Sequence, residues 1–214
     1  RNGTPTSESL TLSIASLYNA HGCVLAPSGM AAICNTILSL AIAGDNIVVG
    51  KSLFGSTYYL LQGLITDCGI DVRFVDPTDD QAFEKHIDNK TRLLFVEALG
   101  NPKLDIPDLK KLSELANKYH IPLVADSTLT TPCLLNAKQL GIHIIVYATT
   151  KYMTGSGTAI GGCVVDTGLM RWKQFDGKQV KQALPFGQLA FLSALKKVRA
   201  NAGSCQAPLN AFLT

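Results

Sequence analysis

The sequence has no Cys-x-x-Cys pair and no cysteine–histidine spacing of the metal-ligating kind, although it holds six cysteines, at positions 23, 34, 68, 133, 163 and 205. A structural zinc site is therefore not expected. Most of these cysteines stand in apolar stretches and read as small buried hydrophobes, so a reduced, cytoplasmic setting is the default expectation. Charge is also scarce. Charged residues make up 16% of the chain and the net charge is +3. The lysines are scattered rather than clustered, which leaves no electrostatic footprint for nucleic acid. No apolar run reaches the length of a membrane span. Ile33 to Ala43 comes nearest, and Asn35, Thr36 and Ser39 interrupt it. Internal repeats and low-complexity tracts are missing too. What is abundant is apolar: hydrophobic residues are 47% of the 214, enough for a large core and incompatible with a disordered or collagen-like chain. The sequence opens on Arg1 and its last apolar stretch, 208–214, reads as an unfinished helix, so the chain is expected to be a piece of a longer one.

The punctuation marks strands and helices in turn. Residues 1–7 are turn chemistry, with Thr6 or Ser7 placed to cap a helix through about Asn19 on Leu10, Leu12, Ile14, Leu17 and Tyr18. A short buried strand, 22–27, runs into Ser28-Gly29-Met30 and a helix to about Ala43. Further strands are expected at 46–50, 70–76, 92–97, 122–126 and 142–147, with helices at about 54–68, 81–86 and 107–120 between them. This alternation, from about Gly22 to Val165, predicts an α/β fold with a mostly parallel, doubly wound sheet flanked by helices. Residues 171–178 read as a polar loop and 189–202 as a long helix. The domain boundaries expected are an N-terminal arm and helix at 1–20, an α/β domain at 21–186, and at 187–214 the start of a helical linker to an absent C-terminal domain.

Ligands of open α/β sheets sit beyond the carboxyl ends of the strands. Ser28-Gly29-Met30, Phe54, Asn101, Asp126, Thr150 and Lys151 all fall there. Each has an ordinary explanation taken singly: Ser28 an N-cap, Asn101 an Asx-turn before proline, Asp126 a turn cap, Phe54 core, Lys151 a solvated strand-end lysine. Together they supply an anion cradle, an aromatic face, an amide, a carboxylate and an amine. Those are the parts that pyridoxal 5'-phosphate requires: an amine to form the covalent link, a carboxylate for the ring nitrogen, and N–H and hydroxyl donors for the phosphate.

The chain resembles the trans-sulfuration, or cystathionine-γ-synthase-like, family of pyridoxal-phosphate enzymes along essentially its whole length. The matching stretches are Arg-x-Gly-Thr-Pro-Thr (1–6), Ser-Gly-Met-Ala-Ala (28–32), Gly-Asp-Asn-Ile-Val (44–48) and Leu-Phe-Gly-Ser-Thr-Tyr (53–58), followed by Gly-Asn-Pro-Lys-Leu-Asp (100–105), Val-Ala-Asp-Ser-Thr (124–128) and Ala-Thr-Thr-Lys-Tyr (148–152). Segments 161–168 and 207–213 are most similar to the O-acetylhomoserine sulfhydrylase branch. The resemblance implies the large cofactor domain of fold-type I, aminotransferase-like enzymes. It makes Lys151 the catalytic lysine that links to the cofactor and then moves protons, its pKa lowered by burial and by the cofactor. Asp126 becomes the partner of the pyridine nitrogen, Gly29 and Met30 the phosphate's backbone donors beside Ser28, Thr150 a hydroxyl donor, and Asn101 the amide near the phenolic oxygen. Phe54 and Thr128 complete the cofactor set, and Arg1 would reach the phosphate of a neighbouring subunit. A homodimer or homotetramer with shared sites follows, with no metal, nucleic acid or membrane partner.

Three departures from the family pattern stand out: Phe54 where tyrosine is frequent, Ala148 where serine often contacts the phosphate, and Ser127 for a usual asparagine. The implied reaction is γ-replacement on an O-acylated homoserine by sulfide or a thiol, giving homocysteine or methionine. Two alternatives stay open: a cystathionine or methionine lyase of the same family, and a cofactor-binding remnant without catalysis. A nicotinamide-binding domain is disfavoured because the run from Gly155 to Gly162 lacks the GxGxxG spacing.

Overall fold

The structure, a computed structural model, describes residues 3–214. Helix α1 (Pro5–Leu17) is followed by β1 (Gly22–Ala26), α2 (Gly29–Leu40), β2 (Asn46–Gly50), α3 (Gly55–Leu60), β3 (Asp71–Val75), α4 (Asp80–Lys85) and β4 (Thr91–Glu97). Then come α5 (Leu109–Lys118), β5 (Leu123–Asp126), α6 (Thr131–Leu134), β6 (Ile144–Tyr147), β7 (Gly162–Asp166), α7 (Lys178–Gln182), α8 (Ala190–Asn201) and α9 (Pro208–Leu213). One sheet holds all seven strands of the described residues, in the order β1-β7-β6-β5-β4-β2-β3. The pairs β2–β3, β2–β4, β4–β5 and β5–β6 are parallel, whereas β7 is antiparallel to both β1 and β6. Six strands therefore point one way and β7 alone returns. The carboxyl ends of β1, β4, β5 and β6 meet the start of β7 at a single edge.

Strand parity divides the core into two layers. Along β4, Leu93 and Phe95 face one side with α2 and α8, while Leu94 and Val96 face the other with α5; all four are fully buried. Continuous apolar runs such as Leu93–Val96 are what a sheet covered on both faces demands.

Several local details differ from the sequence expectation. The cap of α1 is Thr4, whose hydroxyl accepts the Ser7 N–H at 3.2 Å, and Pro5 takes the first helical position, where its missing N–H costs nothing. That register turns Ile14 inward and leaves Leu12 and Leu17 exposed. Helix α2 stops at Leu40 rather than Ala43, and α3 passes into a π-helical turn, Leu61–Ile65. Residues 171–178 are no simple polar loop. A single 3₁₀ turn, Trp172–Gln174, puts Trp172 and Phe175 on one side. Both are buried, with Trp172 stacked on Phe191 at 5.0 Å between centroids, while Arg171, Lys173 and Gln174 face water. The eight-residue window looked polar because only two of its side chains point inward. Nor do all the cysteines behave as core residues. Cys23 and Cys163 are buried, Cys68 and Cys133 are exposed, and no disulfide joins any two of the described cysteines.

Candidate active site

The carboxyl edge of the sheet encloses a cavity of about 600 Å³. Ser28, Gly29, Met30, Phe54, Asn101, Asp126, Thr128, Thr150 and Lys151 all line it. Arg1 lies outside the described residues.

Ser28 caps α2, its hydroxyl accepting the Ala31 N–H at 3.1 Å while its carbonyl takes that of Ala32 at 3.0 Å. Among the described residues no hydrogen bond takes the N–H groups of Gly29 and Met30, the remaining donors of the first turn, and the helix dipole adds partial positive charge at the same point. Glycine is needed at both sides of this turn. A Cβ on Gly29 would stand 2.6 Å from the Ala148 Cβ, and one on Gly162 would overlap the Ser28 carbonyl. The backbones of β1, β6 and β7 can converge on the α2 N-terminus only because those side chains are absent.

Asp126 ends β5 with its open side on the cavity. Its Oδ1 accepts the Thr128 N–H at 2.9 Å and the Thr128 hydroxyl at 2.6 Å. No hydrogen bond among the described residues falls on Oδ2. The same Thr128 hydroxyl accepts the Ala148 N–H at 2.9 Å, which ties the end of β5 to the end of β6. Burial raises the Asp126 pKa from its ordinary value, and the two Thr128 bonds partly offset this by favouring the carboxylate.

Glu97 was not among the residues expected. It ends β4 directly opposite Asp126 in the parallel ladder and is only 7% exposed. Burial, with Asp126 and Asp105 nearby, pushes its carboxyl up to about 7, against the bonds it accepts from the Phe54 and Asn101 N–H groups. The signal was a charged residue closing an otherwise apolar strand run. Tyr152 also lines the cavity beside Lys151, a second residue outside the expected set.

Two expectations change in detail. Thr150 lines the cavity, but its hydroxyl donates to the Gly161 carbonyl and accepts the Gly161 N–H, both at 3.1 Å. The donor expected for a phosphate is thus engaged on Gly161. Lys151 follows two residues after Thr149, and it is exposed rather than buried.

A carboxylate floor, an amine on the wall, a helix N-terminus and a flat aromatic ring are brought together by elements far apart in sequence. Over residues 1–214 the chain matches the model of the Cys/Met metabolism PLP-dependent enzymes. It belongs to that family. An O-acetyl-L-homoserine sulfhydrylase from Leptospira meyeri is 39% identical over 168 residues, 78% of this chain and 38% of that protein. The solved O-acetylhomoserine sulfhydrylase of Wolinella succinogenes superposes with a TM-score of 0.91 at 43% identity, covering 98% of this chain and 59% of that one. A putative O-acetylhomoserine (thiol)-lyase from Campylobacter jejuni, solved with a pyridoxyl-lysine monophosphate, gives a TM-score of 0.88 at 28% identity, over 99% of this chain and 56% of that one. The chain spans about two fifths to one half of the length of the curated relatives it matches. Pyridoxal phosphate is the cofactor of this family, and the cavity's donor set suits it: the free Oδ2 of Asp126 and the unclaimed N–H groups of α2 are what a protonated ring and a phosphate require.

No helix among the described residues is long and apolar enough to cross a membrane.

Proposed function

We propose that the chain forms the cofactor-binding part of an enzyme that replaces the acyloxy group of an O-acylated homoserine by sulfide or a thiol. The products are homocysteine or methionine together with the released carboxylate. The observation that carries this reading is the convergence of Lys151, Asp126, Phe54 and the α2 N-terminus on one cavity. The names borne by the relatives support it.

In this reading Asp126 Oδ2 would accept the ring N–H of pyridoxal phosphate, Phe54 would supply an aromatic face for the ring and Asn101 an amide for the phenolic oxygen. Gly29, Met30 and the Ser28 turn hold the phosphate on the positive end of α2. Bound there, the cofactor supplies a carbonyl that condenses with amines and a protonated ring that accepts an electron pair from the substrate's α-carbon. Lys151 Nζ would hold the cofactor and, with substrate bound, would carry protons at the substrate's α- and β-carbons, while the acyloxy group leaves the γ-carbon as carboxylate and the sulfur nucleophile, giving up its proton, takes its place. Thr128 keeps Asp126 oriented by holding Oδ1. The same reading brings a homodimer or homotetramer, with Arg1 reaching the neighbouring phosphate, and a cytoplasmic setting.

Borohydride reduction after incubation with pyridoxal phosphate, followed by peptide mapping, tests the Lys151 link. The label is expected on Lys151 and is lost in Lys151→Ala. Homocysteine formation from O-acetylhomoserine and sulfide tests the reaction. Pyruvate release from cystathionine without any homocysteine synthesis would overturn it.

A further inference from the structure

Glu97 is a buried charge that the proposed chemistry leaves unused. Its two oxygens divide between two walls of the cavity: Oε1 accepts the Phe54 N–H at 2.6 Å and Oε2 accepts the Asn101 N–H at 3.1 Å. Phe54 stands at the head of α3 with no side-chain cap of its own, and the residue is 48% exposed, so the backbone bond to Glu97 anchors the position from which its ring projects. Asn101 opens the loop after β4, whose far end is held separately by Asp105 on the Ser52 hydroxyl at 2.6 Å. One side chain thus holds both the aromatic wall and the amide wall.

The groups facing Glu97 are Asp126 from β5 and Asp105 from the 99–108 loop, both acidic. No ion pair of Glu97 exists among the described residues, and Lys151, on the same cavity, makes none with it. A carboxylate accepts both N–H bonds well. A carboxylic acid keeps one good acceptor and turns the other oxygen into a donor, which no longer matches a second N–H. Protonation therefore frees one wall.

We propose that Glu97 is a positioning residue whose ionised carboxylate clamps the Phe54 and Asn101 walls together, so that cofactor affinity falls when this group takes up a proton. The inference rests on the pyridoxal-phosphate reading of the cavity. It adds a prediction of direction. A cationic ring against Asp126 relieves the repulsion felt by Glu97, so cofactor binding favours the clamped, ionised form. The acidity of Glu97 lies close enough to neutrality for both forms to be populated there.

Two measurements test this. In the protein without cofactor, the amide resonances of Phe54 and Asn101 are expected to titrate together between pH 6 and 8. Absence of a shared titration overturns the clamp, whatever the cofactor does. The second is the dissociation constant of pyridoxal phosphate at pH 6, 7 and 8 in the wild type and Glu97→Gln. The glutamine keeps the shape but offers one acceptor. About tenfold weaker binding at pH 8 is expected, with the difference from wild type shrinking at pH 6. Equal affinity with the same pH dependence overturns the proposal. A wild type that shows the shared titration but carries no label on Lys151 after reduction leaves the clamp standing and defeats the cofactor reading instead.

Discussion

Replacing Thr128 by valine removes one hydroxyl and little else, since the two side chains are nearly the same size. That hydroxyl makes two bonds, donating to Asp126 Oδ1 at 2.6 Å and accepting the Ala148 N–H at 2.9 Å. The first is a bond to a charged acceptor, which contributes about 1.5–3 kcal/mol; the second, once lost, leaves an N–H facing a methyl group at a cost of about 1–3 kcal/mol. The backbone N–H of Thr128 still holds Oδ1 at 2.9 Å, so the loss is partial. A destabilisation of about 2–4 kcal/mol follows. With a urea slope of about 1–3 kcal/mol/M, the unfolding midpoint should drop by roughly 1 M or more. Losing the hydroxyl also removes one of the two bonds that oppose the upward shift of Asp126, so cofactor affinity should fall as well. Thr128→Ser keeps the hydroxyl and is expected to stay within about 1 kcal/mol of wild type. Equal urea midpoints for the valine variant and wild type would refute the bridge as a source of stability.

Three further outcomes follow from other parts of the molecule. His143 is buried and neutral, with Nδ1 accepting the Leu123 N–H at 3.0 Å, and burial pulls its pKa down to about 4. Its contribution is complete above its unfolded value, about 6.5, and is lost as pH falls from there to about 4; the full span is on the order of 3 kcal/mol. Chemical denaturation of wild type and His143→Gln across pH 4–7 reads it as a wild-type advantage that grows with pH. Phe191→Ala removes the ring stacked on Trp172, the sole tryptophan. It should cost about 3–5 kcal/mol and shift the tryptophan fluorescence to the red. Gly29→Ala sets a Cβ 2.6 Å from that of Ala148. Despite the better helix propensity of alanine, cofactor affinity should fall at least tenfold, and the added change Ala148→Gly should restore part of it, as an equilibrium titration would show.

Much of this architecture is legible in the chain because its determinants are local. Apolar runs of five to seven residues separated by turn chemistry locate β1 to β6 to within two residues, and Ser28 announces α2 by the cap that it makes. The direction of β7 is not written in its own residues. Gly-Cys-Val-Val-Asp suits a strand running either way, and only its neighbours β1 and β6 decide. The inward turn of Trp172 and Phe175 was hidden by the polar residues beside them. Glu97 escaped notice for a related reason. A carboxylate at the end of a buried strand looks like an ordinary boundary until Asp126 is placed opposite it and two backbone N–H groups are seen to end on it. Exposure of Lys151 depends on what surrounds it in three dimensions, which no local pattern reports.

The reversed strand also sets an order of events. Helix α2 and the strand that feeds it are synthesised early, yet β1 reaches the rest of the sheet only through β7, which follows the other six strands of the described residues. Until residues 162–166 emerge and slot between β1 and β6, β1 is not hydrogen-bonded into the sheet and the Ser28 carbonyl lacks the Gly162 backbone that packs against it. A nascent chain arrested before that point carries every residue that lines the cavity, but β1, which leads into the Ser28 turn, is not yet joined to the β4–β5–β6 wall. Completion of the pocket is thus a long-range, late step, of the slow kind that non-local pairing imposes, and a single stretch of five residues acts as its keystone.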